Sequence, residues 1–220
     1  MAKVLAEYTA RITSLVQDKA SKLETADYTA ALDAALEDLN SNHPKVTSAS
    51  EAGDGSTYEW TLASWVEEQS VVRSVEYPAG ERNPEYLDAD EYAMVIPGDL
   101  RLLNYTPGAA ESIKISYTIP WTLTAEANDI PDRHFEAICS RAAAVCCTQL
   151  AAAYGQDTDP TYGGGVIQVG GKLPNYIKLS GEYIKVWEDH FDTSGGHEAS
   201  FSIAKDFESK NSDGRGRMFH

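Results

Sequence analysis

Residues 130–153 read IPDRHFEAICSRAAAVCCTQLAAA. Ile130-Pro131 opens a helix, because proline is tolerated in a first helical turn and Asp132 complements the positive end of the helix dipole. Phe135, Ile138, Ala142, Val145, Cys146 and Leu150 then recur at helical spacing. The rest of the run is rich in alanine, which lets neighbouring helices approach closely. A stripe this long has to be covered by other helices, so the chain on either side must supply them.

Upstream, residues 3–18 place Leu5, Tyr8, Ile12, Leu15 and Val16 at helical steps. Thr25-Ala26-Asp27 starts a second helix with Tyr28, Ala31, Leu32, Ala35, Leu36 and Leu39 on one face, ended by Asn42-His43-Pro44. Downstream, Gly155 to Pro160 breaks the helical run. Residues 161–171 form a glycine-flanked loop or hairpin, and Pro174 to Phe191 reads as a last helix weakened by Gly181.

Between the helical pairs the period changes. Gly53-Asp54-Gly55 is a turn. Thr57 to Leu62, Ser70 to Tyr77, Tyr92 to Ile96, Leu100 to Asn104 and Glu111 to Tyr117 read as short strands, with a hairpin at Pro97-Gly98-Asp99. Neither helical pair buries its stripe alone. The expected fold is α+β: a four-helix bundle with an inserted small antiparallel β domain and an extended C-terminal tail. The boundaries fall at 1–45 for the first two helices, 46–122 for the β unit, 123–192 for the last two helices with the loop 161–171, and 193–220 for the tail.

The chain has 34 acidic and 18 basic residues, a formal charge of -16. Residues 193–220 hold four of each, so all the net charge sits in the first 192 residues. An acidic body argues against gripping nucleic acid, which needs lysine and arginine at phosphates. Three cysteines, Cys139, Cys146 and Cys147, make a poor disulfide framework and read as small core residues. The N-terminus shows no signal-peptide pattern, and no stretch approaches the ~20 apolar residues of a membrane span, so a soluble protein made in the cytoplasm is expected.

No constellation for catalysis emerges. The run from Gly165 to Lys172 puts Gly171 where a phosphate-loop lysine belongs and Leu173 where a magnesium-binding hydroxyl belongs. The five histidines, His43, His134, His190, His197 and His220, are scattered without a close pair, and neither HExxH nor CxxC occurs. No GxSxG presents a nucleophile. No catalytic, metal or cofactor residue is therefore assigned. Aromatics crowd the β unit (Tyr58, Trp60, Trp65, Tyr77, Tyr92, Tyr117, Trp121), where cross-strand packing accounts for them. A ligand face for protein or glycan on Trp60, Trp65 or Trp121 is the alternative function.

The tail is a polar string with sparse apolar residues, too few to offset the cost of ordering a chain alone. It ends in Gly214-Arg215-Gly216-Arg217-Met218-Phe219-His220, a basic and aromatic tip. Phe201, Phe207, Met218 and Phe219 are candidate anchors, with Arg215 and Arg217 seeking carboxylates.

Three blocks resemble the head-to-tail adaptor (connector, or head completion) proteins of tailed bacteriophages. They are Tyr28 to Leu36 ending at His43-Pro44; Val75-Glu76-Tyr77-Pro78 with Leu100 to Leu102 and Ile113 to Tyr117; and Ile130-Pro131 with Phe135 to Ile138, Ala142 to Ala144, Cys146-Cys147 and Gln149 to Ala151. Together they span about residues 5–155. The chain departs from the family in its glycine-rich 161–171 and in a last helix carrying only Lys178 and Lys185. The resemblance implies a helical-bundle subunit in a twelve-membered ring beneath the portal, in the neck of a virion, with no enzymatic role. Its C-terminal extension would dock on the portal and another surface would meet the next neck or tail protein. DNA would pass through the ring without specific binding.

Overall fold

The structure, a computed structural model, describes residues 3–156 and 172–198. The loop 161–171 and the anchors Phe201, Phe207, Arg215, Arg217, Met218 and Phe219 lie outside the described residues. The fold of the described residues is α+β, with four helices and two small antiparallel sheets.

The helices are α1 (Leu5–Val16), α2 (Thr25–Asn42), α3 (Phe135–Gln156) and α4 (Lys172–Glu198), with a 3-10 turn at Asp132–His134 leading into α3. Both early helices start where an acidic side chain reaches back to a free backbone N–H. Val4 N donates to Glu7 Oε2 at 2.9 Å, and Glu24 N donates to Asp27 Oδ2 at 2.7 Å. Gln17 stops α1 in a left-handed conformation, and His43, held before Pro44, stops α2.

Helix α3 is the central element and packs against α1, α2 and α4. One core joins Tyr8, Ile12 and Val16 of α1, Ala31, Leu32, Ala35 and Leu39 of α2, Ile138, Ala142, Cys146 and Leu150 of α3, and Trp187 and Phe191 of α4. The three cysteines are fully buried in it and free, and burial pushes their thiols up to about 12, 12 and 11. They are packing residues, as their apolar setting predicts.

Two helical expectations need correction. The segment Asp132–Gly155 is, by length and composition, apolar enough to cross a membrane, although the sequence reading found no such stretch. Alanine raises hydropathy without adding bulk, and 67% of that window is buried, which is the pattern of a central core helix. Helix α4 also runs past Phe191 and through Gly195-Gly196 to Glu198. Extending an existing helix needs no new nucleus, so two glycines at roughly 1 kcal/mol each do not stop it.

The β unit has six strands: β1 (Lys45–Ala52), β2 (Glu59–Thr61), β3 (Val72–Glu76), β4 (Tyr92–Ile96), β5 (Asp99–Leu102) and β6 (Ser112–Ile119). They form two sheets, ordered β1-β6-β3 and β2-β5-β4. Five strands fall where alternation predicts them. Strand β1, KVTSASEA, is one the sequence reading lacked: its inward residues are small or polar, and it is held by full pairing with β6 from Lys45↔Ile119 to Ala52↔Ser112. Trp60, Leu62, Val75, Leu100, Leu102, Ile113, Ile115 and Tyr117 make a second, separate core. Gly53 sits so close to the Pro107 carbonyl that a β-carbon there would lie 2.4 Å from it.

Candidate functional site

The chemistry-bearing side chains collect where the two cores meet. Helix α2 enters the β unit through Asn42–Lys45, and the return path runs from Ile119 to Ile130. Trp121 ties the two paths together. Its backbone N–H donates to Asn40 Oδ1 at 2.7 Å, and its indole Nε1–H donates to the His43 carbonyl at 2.8 Å. Lys45 Nζ lies 5.7 Å from the Trp121 ring centroid and pairs with Asp129 Oδ2 at 2.8 Å. Asp129 Oδ1 accepts from Thr122 N at 2.7 Å. Trp121 is partly buried and packs against the helical core.

Beside this latch lie three histidines. The expectation of scattered histidines is wrong: His134 Nδ1 and His190 Nε2 are 2.9 Å apart. The Arg133 Nε–H donates to His134 Nε2 at 3.1 Å. A guanidinium only donates, so His134 carries its proton on Nδ1 and gives it to His190. The Phe191 ring stacks on His43 at 4.4 Å and on His134 at 5.2 Å, and His190 meets both Phe191 and His134 edge-on. Burial pulls His134 down to about 4, with Arg133, His190 and His43 adding to the effect; His190 is lowered by burial first and by Arg133 next. Residues 43, 134 and 190 are far apart in sequence. The local signal was weak: His190 beside Phe191 on the buried stripe of α4.

This cluster is a packing device. The lone pairs of His134 Nε2 and His190 Nε2 are each directed at a donor, leaving none to converge on an ion. Among the described residues no group of three His, Cys, Asp or Glu is placed to hold a metal.

A groove of about 1010 Å³ opens on the other side of the latch, between α2 and the β1-β6-β3 sheet. Leu36, Val71 and Trp121 give it apolar walls; Asp33, Glu37 and Glu68 give it acidity, with Arg73 as its one lining cation. The three carboxylates form no ion pair with the described residues, whereas nearby Asp38 is held by Arg141 Nε at 2.6 Å.

Of the three tryptophans of the aromatic ligand face, Trp60 is buried in the sheet core, Trp121 is half-buried at the latch and lines the groove, and Trp65 stays part-exposed beside Met94 to Pro97. In the β unit Trp65, in a loop, lies 6.1 Å from Tyr117 of β6, and Tyr77 and Tyr105, both outside the strands, are 5.4 Å apart.

No protein family and no curated protein is matched by the sequence. Solved structures with partial similarity include the neck of an empty GTA particle computed with C6 symmetry: 12% identity, covering 71% of this chain and 80% of that one, TM-score 0.27. The neck of a native GTA particle computed with C12 symmetry is 14% identical, covering 80% and 93%, TM-score 0.27. The virion of a native gene transfer agent particle is 14% identical, covering 80% and 92%, TM-score 0.27. These values are too low to transfer anything to this chain.

Proposed function

We propose that this chain is a structural protein of a virion neck, a head-to-tail adaptor that forms a ring, twelve-membered by the resemblance, beneath a portal. The observation that supports this reading is the architecture itself. Two helices, an inserted β unit and two further helices meet on one helical core, and the sequence blocks that carry the adaptor resemblance supply both its halves. In this reading the four helices act as the bundle of the subunit.

Residues 193–220 are the docking arm for the portal, with Phe201, Phe207, Met218 and Phe219 as anchors and Arg215 and Arg217 seeking carboxylates. Ring closure multiplies weak contacts of this kind into a durable joint. Another surface of the subunit meets the next neck or tail protein. The acidic body suits a channel wall that DNA passes without being gripped; a bore lined with lysine and arginine would contradict this.

Deleting residues 207–220 tests the arm. The truncated chain is expected to keep its circular dichroism and melting temperature and to lose attachment to portal in a pull-down. Normal attachment by that chain would overturn the assignment.

A further inference from the structure

We propose that the groove between α2 and the β1-β6-β3 sheet is the seat of this chain's own segment Gly214–His220. The inference rests on reading the tail as a docking arm, and it adds where that arm lies before a partner takes it.

The groove asks for a cationic and apolar occupant. Asp33, Glu37 and Glu68 are exposed and form no ion pair among the described residues, and Val71 is 59% exposed next to half-buried Leu36 and Trp121. Gly214–His220 reads GRGRMFH, with two arginines, a methionine, a phenylalanine and no acid. Each guanidinium can fork onto a carboxylate, and the apolar side chains can cover Val71 and Trp121.

The reach also fits. The Phe191 ring of α4 stacks on His43, which stands between the groove-lining residues Asn42 and Pro44. From Phe191 to Glu198 the helix advances about 10 Å. The fifteen residues 199–213 can reach at most about 50 Å. A tethered tip of this kind meets its own groove at roughly millimolar effective concentration, so weak, screened contacts suffice to hold it. A partner with deeper pockets can displace it.

The test uses the full chain with p-benzoylphenylalanine in place of Phe219, irradiated at low micromolar concentration, with crosslinks mapped by mass spectrometry. The expected result is crosslinking to residues 33–42, 68–73 and 118–124 at monomer mass. The yield should fall at least fivefold in R215E/R217E and in D33K/E37K, and recover when the two pairs are combined. It should also fall as sodium chloride rises, a readout that needs no variant. Crosslinks at dimer mass, crosslinks elsewhere on the body, or a yield indifferent to salt and charge would overturn the proposal. Portal attachment of the same proteins is scored separately, so a failed groove and a failed docking arm give different results.

Discussion

Tyr8 is fully buried, and among the described residues its hydroxyl has no hydrogen-bond partner. Asn128, whose side chain acts on that hydroxyl, donates through Nδ2 to the Lys3 carbonyl at 2.6 Å and accepts through Oδ1 from Ile130 N at 2.8 Å, and neither atom meets the Tyr8 hydroxyl in hydrogen-bonding geometry. A buried hydroxyl without a partner costs about 1–3 kcal/mol, so Tyr8→Phe should stabilise the chain by about 1 kcal/mol, raising the melting temperature by roughly 2–4 °C. His134 makes the opposite kind of prediction. Its folded value of about 4 lies below the ordinary 6.5, so the unfolded chain binds more protons between those values. Its contribution is complete above the ordinary value and is lost as pH falls toward about 4. Denaturant unfolding should show a loss of about 2 kcal/mol between roughly pH 7.5 and pH 5, and His134→Leu should flatten that slope. At this scale the sequence was only partly legible. Apolar residues such as Ile12, Leu39 and Ile138 declare their burial through period, whereas the His134–His190 contact depends on a helix returning 56 residues later, which no local pattern records.

The elements were legible wherever burial follows a period. All four helices and five of six strands answer to spacing that can be read along the chain. Strand β1 does not, because its place in the sheet is decided by partner β6 rather than by its own apolar content. The end of α4 beyond Phe191 was not legible for the converse reason, since propensity weighs little once a helix is already running. Helix α3 yields a clear test. Ala142 and Ala143 are fully buried at the meeting of helices, so either Ala→Leu change should force the neighbours apart and cost about 1–3 kcal/mol, read by thermal or denaturant unfolding. The Trp121 latch yields another. Trp121→Ala removes the indole bond to the His43 carbonyl and the contact with Lys45, so limited proteolysis within residues 119–131 should speed up about tenfold or more while both cores keep their slow-exchanging amides.

At the scale of the whole molecule, two cores share one chain through two short connections, with an acidic groove between them and all the net charge in the body. The order of helices and strands could be read from changes of period along the chain. The groove could not, because its walls come from α2, β3 and the segment after β6, which only tertiary folding brings together. The docking arm proposed for residues 193–220 rests on composition, a neutral string with a basic, aromatic end beside a body of charge -16. The most direct test of the account is single-particle electron microscopy of the purified chain mixed with its portal. The account predicts closed rings, twelvefold in projection, seated on the portal and absent from it when residues 207–220 are deleted. Portals that stay bare beside a monomeric full-length chain would contradict it.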